Sequence, residues 1–174
     1  MKTGFFLQNI AQGGLDTFVV NLLNGYEHKS KKVLFCNYDH PGIKNLKKKI
    51  KKKSEIIPYK NYLYQTNYLK NESILIFFVK KIIIKFSRIL LFIFQILKFK
   101  KIFKKEKKNK LLIINGGYPG GKACYAAAIA YNLFSKKKCS ISFHANPRYN
   151  LLDKVDLFQK LINFYISKIT KNLI

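Results

Sequence analysis

Apolar positions along this chain switch repeatedly between the short runs of strands and the three-to-four spacing of helices. That order of switches predicts a layered α/β fold. Residues 3–10 are apolar and β-prone, 11–16 turn around Gly13-Gly14, and 17–26 carry Phe18, Val19, Leu22, Leu23 and Tyr26 at helical spacing. A second strand is expected over Lys31 to Asp39, followed by a turn at Pro41-Gly42 and a short basic helix. Glu55 to Tyr59 reads as a weaker third strand, because Pro58 withholds a ladder donor and suits a sheet edge.

A tyrosine-rich connector, residues 61–71, leads into a long run from Ile74 to Lys105. At about 100° per residue, Lys80, Lys81, Lys85, Arg88, Gln95 and Lys98 fall within one arc of less than half the circumference, and the rest is Ile, Leu and Phe. Charges interrupt the run too often for the roughly 18 to 20 apolar residues of a spanning helix. Two readings remain: an interfacial helix whose lysines meet anionic lipid, and a helix packed on the core of a lysine-rich protein.

The strand pattern returns at Leu111 to Asn115, with a loop over Gly116 to Gly121, an alanine-rich helix from Lys122 to Ser135, and a strand from Cys139 to Phe143. A last helical pattern runs from Leu151 to about Thr170. Strands alternating with helices imply a parallel, Rossmann-like sheet flanked by helices on both faces. Ligands of such sheets sit beyond the carboxyl ends of the strands, and Gly13-Gly14, the loop after Asn115 and His144 all fall at such ends.

At 174 residues one domain is expected, and a formal charge of +26 predicts attraction to anions. Only Arg88 and Arg148 are arginine, so the lysine-dominated surface argues against base-specific recognition and a nucleic-acid partner. Cys36, Cys124 and Cys139 are widely spaced and form no CxxC or Cys/His pattern, which predicts neither a disulfide framework nor a bound metal and fits a cytoplasmic setting. No export signal is read in MKTGFFLQNI, an apolar stretch that runs straight into a glycine turn.

Gly116, Gly121 and Lys122 satisfy the first part of GxxxxGK[ST], yet Ala123 lacks the hydroxyl that would meet Mg²⁺. The next strand ends in His144 and not in a metal-holding Asp, which argues against a nucleoside triphosphatase. His144 can serve as an acid or base near neutral pH, or hold the turn before Pro147. Asp16 reads as a helix cap, while His28 and His40 sit in polar turns. No Ser/His/Asp or paired-carboxylate spacing supports a hydrolase.

Taken together, IAQGGLDTFVVNLLNGY, LLIINGGYPGG and SISFHANP resemble the N-terminal domain of a family 4 glycosyltransferase of the GT-B fold. Gly13, Gly14, Phe18 and Leu22 occupy the places of that family's GGxxxFxxxLxxxL pattern. The resemblance implies retaining transfer of a sugar from a nucleotide-sugar donor to a polysaccharide or lipid-linked acceptor, without a metal or other cofactor. It implies donor-phosphate contacts at Gly13 and Gly14, an acceptor cleft bordered by Asn115, Gly116, Gly117, Tyr118 and Asn146, and His144 near the transferred sugar.

The resemblance also implies that residues 74–105 dock on the inner face of the cytoplasmic membrane, with Lys80, Lys81, Lys85 and Arg88 meeting anionic lipid. The Glu-x7-Glu motif of the family's donor-binding domain is missing. Residues 1–174 are therefore expected to be a truncated, acceptor-side domain, inactive unless a separate C-terminal chain completes it. A basic, non-catalytic membrane-binding protein of the same fold is the alternative.

Overall fold

The computed structural model describes residues 2–9, 11–26, 31–51, 54–63, 74–106, 110–115, 121–144 and 157–173. Six parallel strands form one sheet: β1 (Lys2–Gln8), β2 (Lys31–Asn37), β3 (Ser54–Tyr59), β4 (Lys110–Asn115), β5 (Cys139–Phe143) and β6 (Thr170–Leu173). Their spatial order is β3-β2-β1-β4-β5-β6, so the direction of winding reverses between β1 and β4.

Alternation along each strand decides which helices cover which face. Phe5 and Leu7 of β1, with Leu34 and Cys36 of β2, point toward α1 (Gly14–Gly25) and α2 (Ile43–Lys49), where Val19, Leu23 and Leu46 meet them. Phe6, Val33, Phe35 and Ile113 point the other way, into the core beneath α3 (Ile74–Glu106), α4 (Lys122–Ser135) and α5 (Leu157–Ile169). Both faces are dry, which explains the nearly continuous apolar runs of the inner strands.

The alanines of α4, including Ala123, Ala126, Ala127 and Ala130, are fully buried and let the aromatic face of α3 approach closely. Phe99 meets Phe6 edge to face at 5.1 Å, and Phe103 meets Tyr131 at 6.2 Å. Pro58 lies on β3 at the sheet edge, as its missing donor requires, and the Tyr59 hydroxyl donates to Leu7 O at 3.0 Å.

Two expectations change. The last helix ends at Ile169, and Thr170 opens a sixth strand beside β5. The Thr170 hydroxyl donates to Ile166 O at 2.9 Å, closing the final turn before the chain extends. Residues 151–156, where the helical pattern was expected to start, lie outside the described residues.

The second change concerns α3. Gln95, expected on its polar arc, is 1% exposed, accepts from Tyr62 N at 2.9 Å and donates to Lys60 O at 3.3 Å. The connector's backbone needs partners, and Gln95 supplies them from the buried face. Phe92, Phe99 and Phe103 share that face, while Leu90, Leu91, Ile93, Phe94 and Leu97 are exposed. The apolar residues of α3 thus divide into a core stripe and an outer stripe.

Candidate functional site

The strand order reverses between β1 and β4, where sheets of this kind bind ligands at their carboxyl end, and polar residues begin there just where the apolar runs stop. Gln8 and Asn115, the last residues of β1 and β4, are direct register partners. Asn37 ends β2, and His144 follows β5 with its N–H donating to Asn115 O at 3.1 Å. One rim therefore carries side chains from four strands.

On the α1 side, Asp16 organises the loop. It lies in the first turn of the helix, where a carboxylate also meets the positive end of the helix dipole. Its Oδ2 accepts from Gly13 N at 3.3 Å and its Oδ1 from Asn9 Nδ2 at 2.9 Å. Asn37 joins β1 to β2 here, its Oδ1 taking Asn9 N at 2.9 Å while its Nδ2 donates to Asn9 O and Asp39 Oδ1. His40 Nε2 approaches Asp16 Oδ1 to 2.9 Å, a close contact without hydrogen-bond alignment.

The His40 side chain is completely buried. A Cβ at Gly42 would stand 2.6 Å from Asp16 Oδ2 and 2.7 Å from His40 Nε2, so close approach requires glycine there. The turn composition of His-Pro-Gly hid this burial in the sequence. The local clue was Gly42, which marks the turn without revealing what lies against it.

Chain neighbours aside, no atom of the described residues lies within 4 Å of where a Cβ on Gly13 or Gly14 would stand. Packing among the described residues makes no demand for glycine at either position, and none of them covers the α1 N-terminus at Gly13 and Gly14. A cleft of about 350 Å³ beside it is lined by Gln12, Gly13, Asp16, Thr17, Asn45 and Lys49, among others, and lies between α1 and α2.

The α4 side is built differently. Ala123 N donates to Gln8 Oε1 at 3.1 Å, and Gly121 N donates to Asn115 Oδ1 at 3.2 Å. A Cβ at Gly121 would collide with the Gln8 carboxamide. Two amides at this helix start are thus already held by carboxamides of β1 and β4, a physical reason beyond Ala123 why the GxxxxGK resemblance does not carry nucleotide hydrolysis.

His144 is exposed at the rim, with Nε2 2.9 Å from Ser142 Oγ and its ring 4.0 Å from that of Phe18 on α1. Partial desolvation lowers its pKa from the usual 6.5, which keeps the ring neutral at pH 7 and able to exchange a proton with a hydroxyl. Phe18, one of the apolar residues at helical spacing on α1, is 37% exposed and ties the glycine loop to the histidine. Its i, i+4 relation to Leu22 gave no hint of that partner.

Gly116, Gly117, Tyr118 and Asn146 lie outside the described residues, as do the side chains of Lys80, Lys81 and Lys85; Arg88 is exposed on α3. The structure therefore brings Gly13, Gly14, Asn115 and His144 to one rim and adds Gln8, Asp16, Phe18 and His40. Burial pushes the thiols of Cys36, Cys124 and Cys139 up to about 12, leaving them protonated and unreactive. Among the described residues no three His, Cys, Asp or Glu side chains are placed to hold a metal ion.

No family model matches this chain, and no curated protein sequence does. Among solved structures it is similar to MurG of Acinetobacter baumannii, with a TM-score of 0.58 and 11% identity, over 99% of this chain and 40% of that one. At that identity the likeness shows the fold alone: a six-strand parallel sheet flanked by helices, matching the N-terminal Rossmann-like domain of GT-B proteins. The chain spans 40% of the length of that protein.

Proposed function

We propose that this chain is the acceptor-side half of a glycosyltransferase, moving a sugar from a nucleotide-sugar donor to a polysaccharide or lipid-linked acceptor. The observation that carries the reading is the convergence of the open Gly13-Gly14 loop, Asn115 and the neutral, exposed His144 on one strand-end rim. The fold shared with MurG supports a GT-B framework, and a family 4 relationship remains the reading of the sequence motifs.

In this account the acceptor sugar lies along Asn115 toward His144, whose ring takes a hydrogen bond from the attacking hydroxyl and eases its deprotonation. Asp16 holds the Gly13 amide, so the donor phosphate contact falls chiefly to Gly14 at the positive end of α1. No metal takes part. The donor-binding side of the site is supplied by a second domain of the GT-B kind.

The test is sugar transfer in extracts where the activity depends on this chain. His144→Ala lowers kcat about 100-fold with little change in donor KM. Unchanged kinetics would return His144 to a purely structural role.

The outer stripe of α3 supports a membrane-docked placement on the cytoplasmic face, whether or not the fold retains chemistry. Leu90, Ile93, Phe94 and Leu97 are exposed next to Arg88, Lys98 and Lys101, the arrangement of an interfacial helix. Among the described residues no helix is long and apolar enough to cross a membrane. Each lysine near anionic lipid adds about 1 kcal/mol. Sedimentation with anionic liposomes is expected to fall when Lys80, Lys81 and Lys85 are replaced, and again with Leu97→Ser. Binding untouched by both changes would remove α3 from the interface.

A further inference from the structure

The glycine-rich sequence before α4 reads as a phosphate loop, yet the function above makes no use of it. Its helix start is not vacant. Gly121 N and Ala123 N, two of the amides an anion would need, donate instead to Asn115 Oδ1 at 3.2 Å and Gln8 Oε1 at 3.1 Å. Because backbone N–H groups can only donate, both carboxamide oxygens are assigned without ambiguity.

We infer that Gln8 is a specificity-determining residue: with Asn115 it occupies the start of α4 as a built-in substitute for phosphate, and turns this part of the crevice toward uncharged oxygen ligands. Three observations support the assignment independently of sugar transfer. A Cβ at Gly121 would strike Gln8 Oε1 and Cδ, so a phosphate oxygen reaches the same place only by displacing the Gln8 carboxamide. Gln8 comes from β1, across the switch point from α4, so the plug belongs to the sheet and not to the loop it closes. Asn115 is 2% exposed, and its buried Nδ2 finds no hydrogen-bond partner among the described residues.

That last group has a chemical preference. With Oδ1 held by Gly121, only the NH₂ end of Asn115 remains to meet a ligand, and the same holds for Gln8 Nε2. An amide NH₂ matches a hydroxyl or carbonyl oxygen without requiring a counter-charge. A buried donor left unmatched costs about 1 to 3 kcal/mol, which favours a ligand that supplies such an oxygen. The uncharged hydroxyls of a sugar fit, whereas a phosphate would have to displace Gln8 before it reached the Ala123 amide.

The inference is tested by titrating ¹⁵N-labelled protein with inorganic phosphate and then pyrophosphate, following the amides of Gly121, Lys122 and Ala123. In the wild type these amides show no saturable shift. Gln8→Ala frees the Ala123 N–H and brings a saturable phosphate shift at the α4 amides that the wild type lacks. Gln8→Glu keeps an acceptor oxygen on Ala123 and leaves phosphate excluded. Gln8→Asn, shorter by one methylene, provides a second withdrawal of the plug should the alanine variant fold poorly. Saturable phosphate binding at Ala123 in the wild type overturns the proposal, as does a folded Gln8→Ala that binds no better. Neither result depends on whether the protein transfers sugar.

Discussion

The starts of α1 and α4 share a sequence grammar, a strand followed by glycines and a helix, yet one is open and the other closed. At α1, chain neighbours aside, no atom of the described residues lies within 4 Å of a Cβ placed on Gly13 or Gly14, and the stabilising network sits behind the loop in Asn9, Asp16, Asn37 and His40. At α4 the network sits in front, with Gln8 and Asn115 covering the first amides and Gly121 pressed against a carboxamide. What decides whether a glycine loop can receive a ligand is therefore the strand residue facing it. Glycine count alone does not distinguish the two.

The largest expected effect strikes the α1 network. Asp16→Ala leaves the fully buried His40 side chain without its carboxylate and frees Gly13 N and Asn9 Nδ2, for a loss of about 3 kcal/mol in urea unfolding. A loss below about 1 kcal/mol would mean that the network decorates the loop without holding it.

Next comes Gly121→Ala, expected to cost about 1 to 2 kcal/mol by pushing the Gln8 carboxamide off Ala123. Because the clash is with a movable side-chain end, the penalty should largely vanish in a Gln8→Ala background. That coupling is what a double-mutant cycle measures. Additive effects would show that the tight approach at α4 has another cause.

Gly14→Ala sharpens the contrast by doing little to the fold. Open space at Gly14 predicts a change within about 0.5 kcal/mol, while a methyl over the helix start weakens donor binding in a transfer assay. A destabilised protein would mean that the α1 loop is closed after all.

The smallest effect is the pH response of His144. Its folded pKa is lowered by desolvation, so as pH falls the unfolded chain takes up the proton first. The wild type therefore loses a little stability relative to His144→Gln as pH drops through and below about 6.5, and the two converge at higher pH. The ring's exposure keeps the difference small.

Much of this architecture was legible in the sequence because it rests on period and punctuation. Alternating elements gave the parallel sheet, Pro58 marked an edge strand, and the strand-end positions of Gly13, Asn115 and His144 placed them on one rim. Contacts that join distant segments left no such trace. Gln8 reads as part of an apolar run, His40 as a polar turn and Phe18 as an apolar residue at helical spacing, because each takes its role from a partner elsewhere in the chain.

The division of α3 was hidden for a related reason. Helical periodicity shows that a face is apolar, and only packing shows how much of it is covered. Phe92, Phe99 and Phe103 found the core, Gln95 followed them to serve the connector backbone, and Leu90, Phe94 and Leu97 stayed outside. A single polar arc was the wrong unit for a helix that meets a core on one side and a different environment on the other.

The most direct test of the account is a map of amide shifts as labelled protein is titrated with an uncharged oligosaccharide fragment of envelope polysaccharide. The account predicts saturable shifts at Asn115 and His144, weakened in His144→Ala. Shifts confined to the outer face of α3, or a rim that stays silent at saturating sugar, would contradict it.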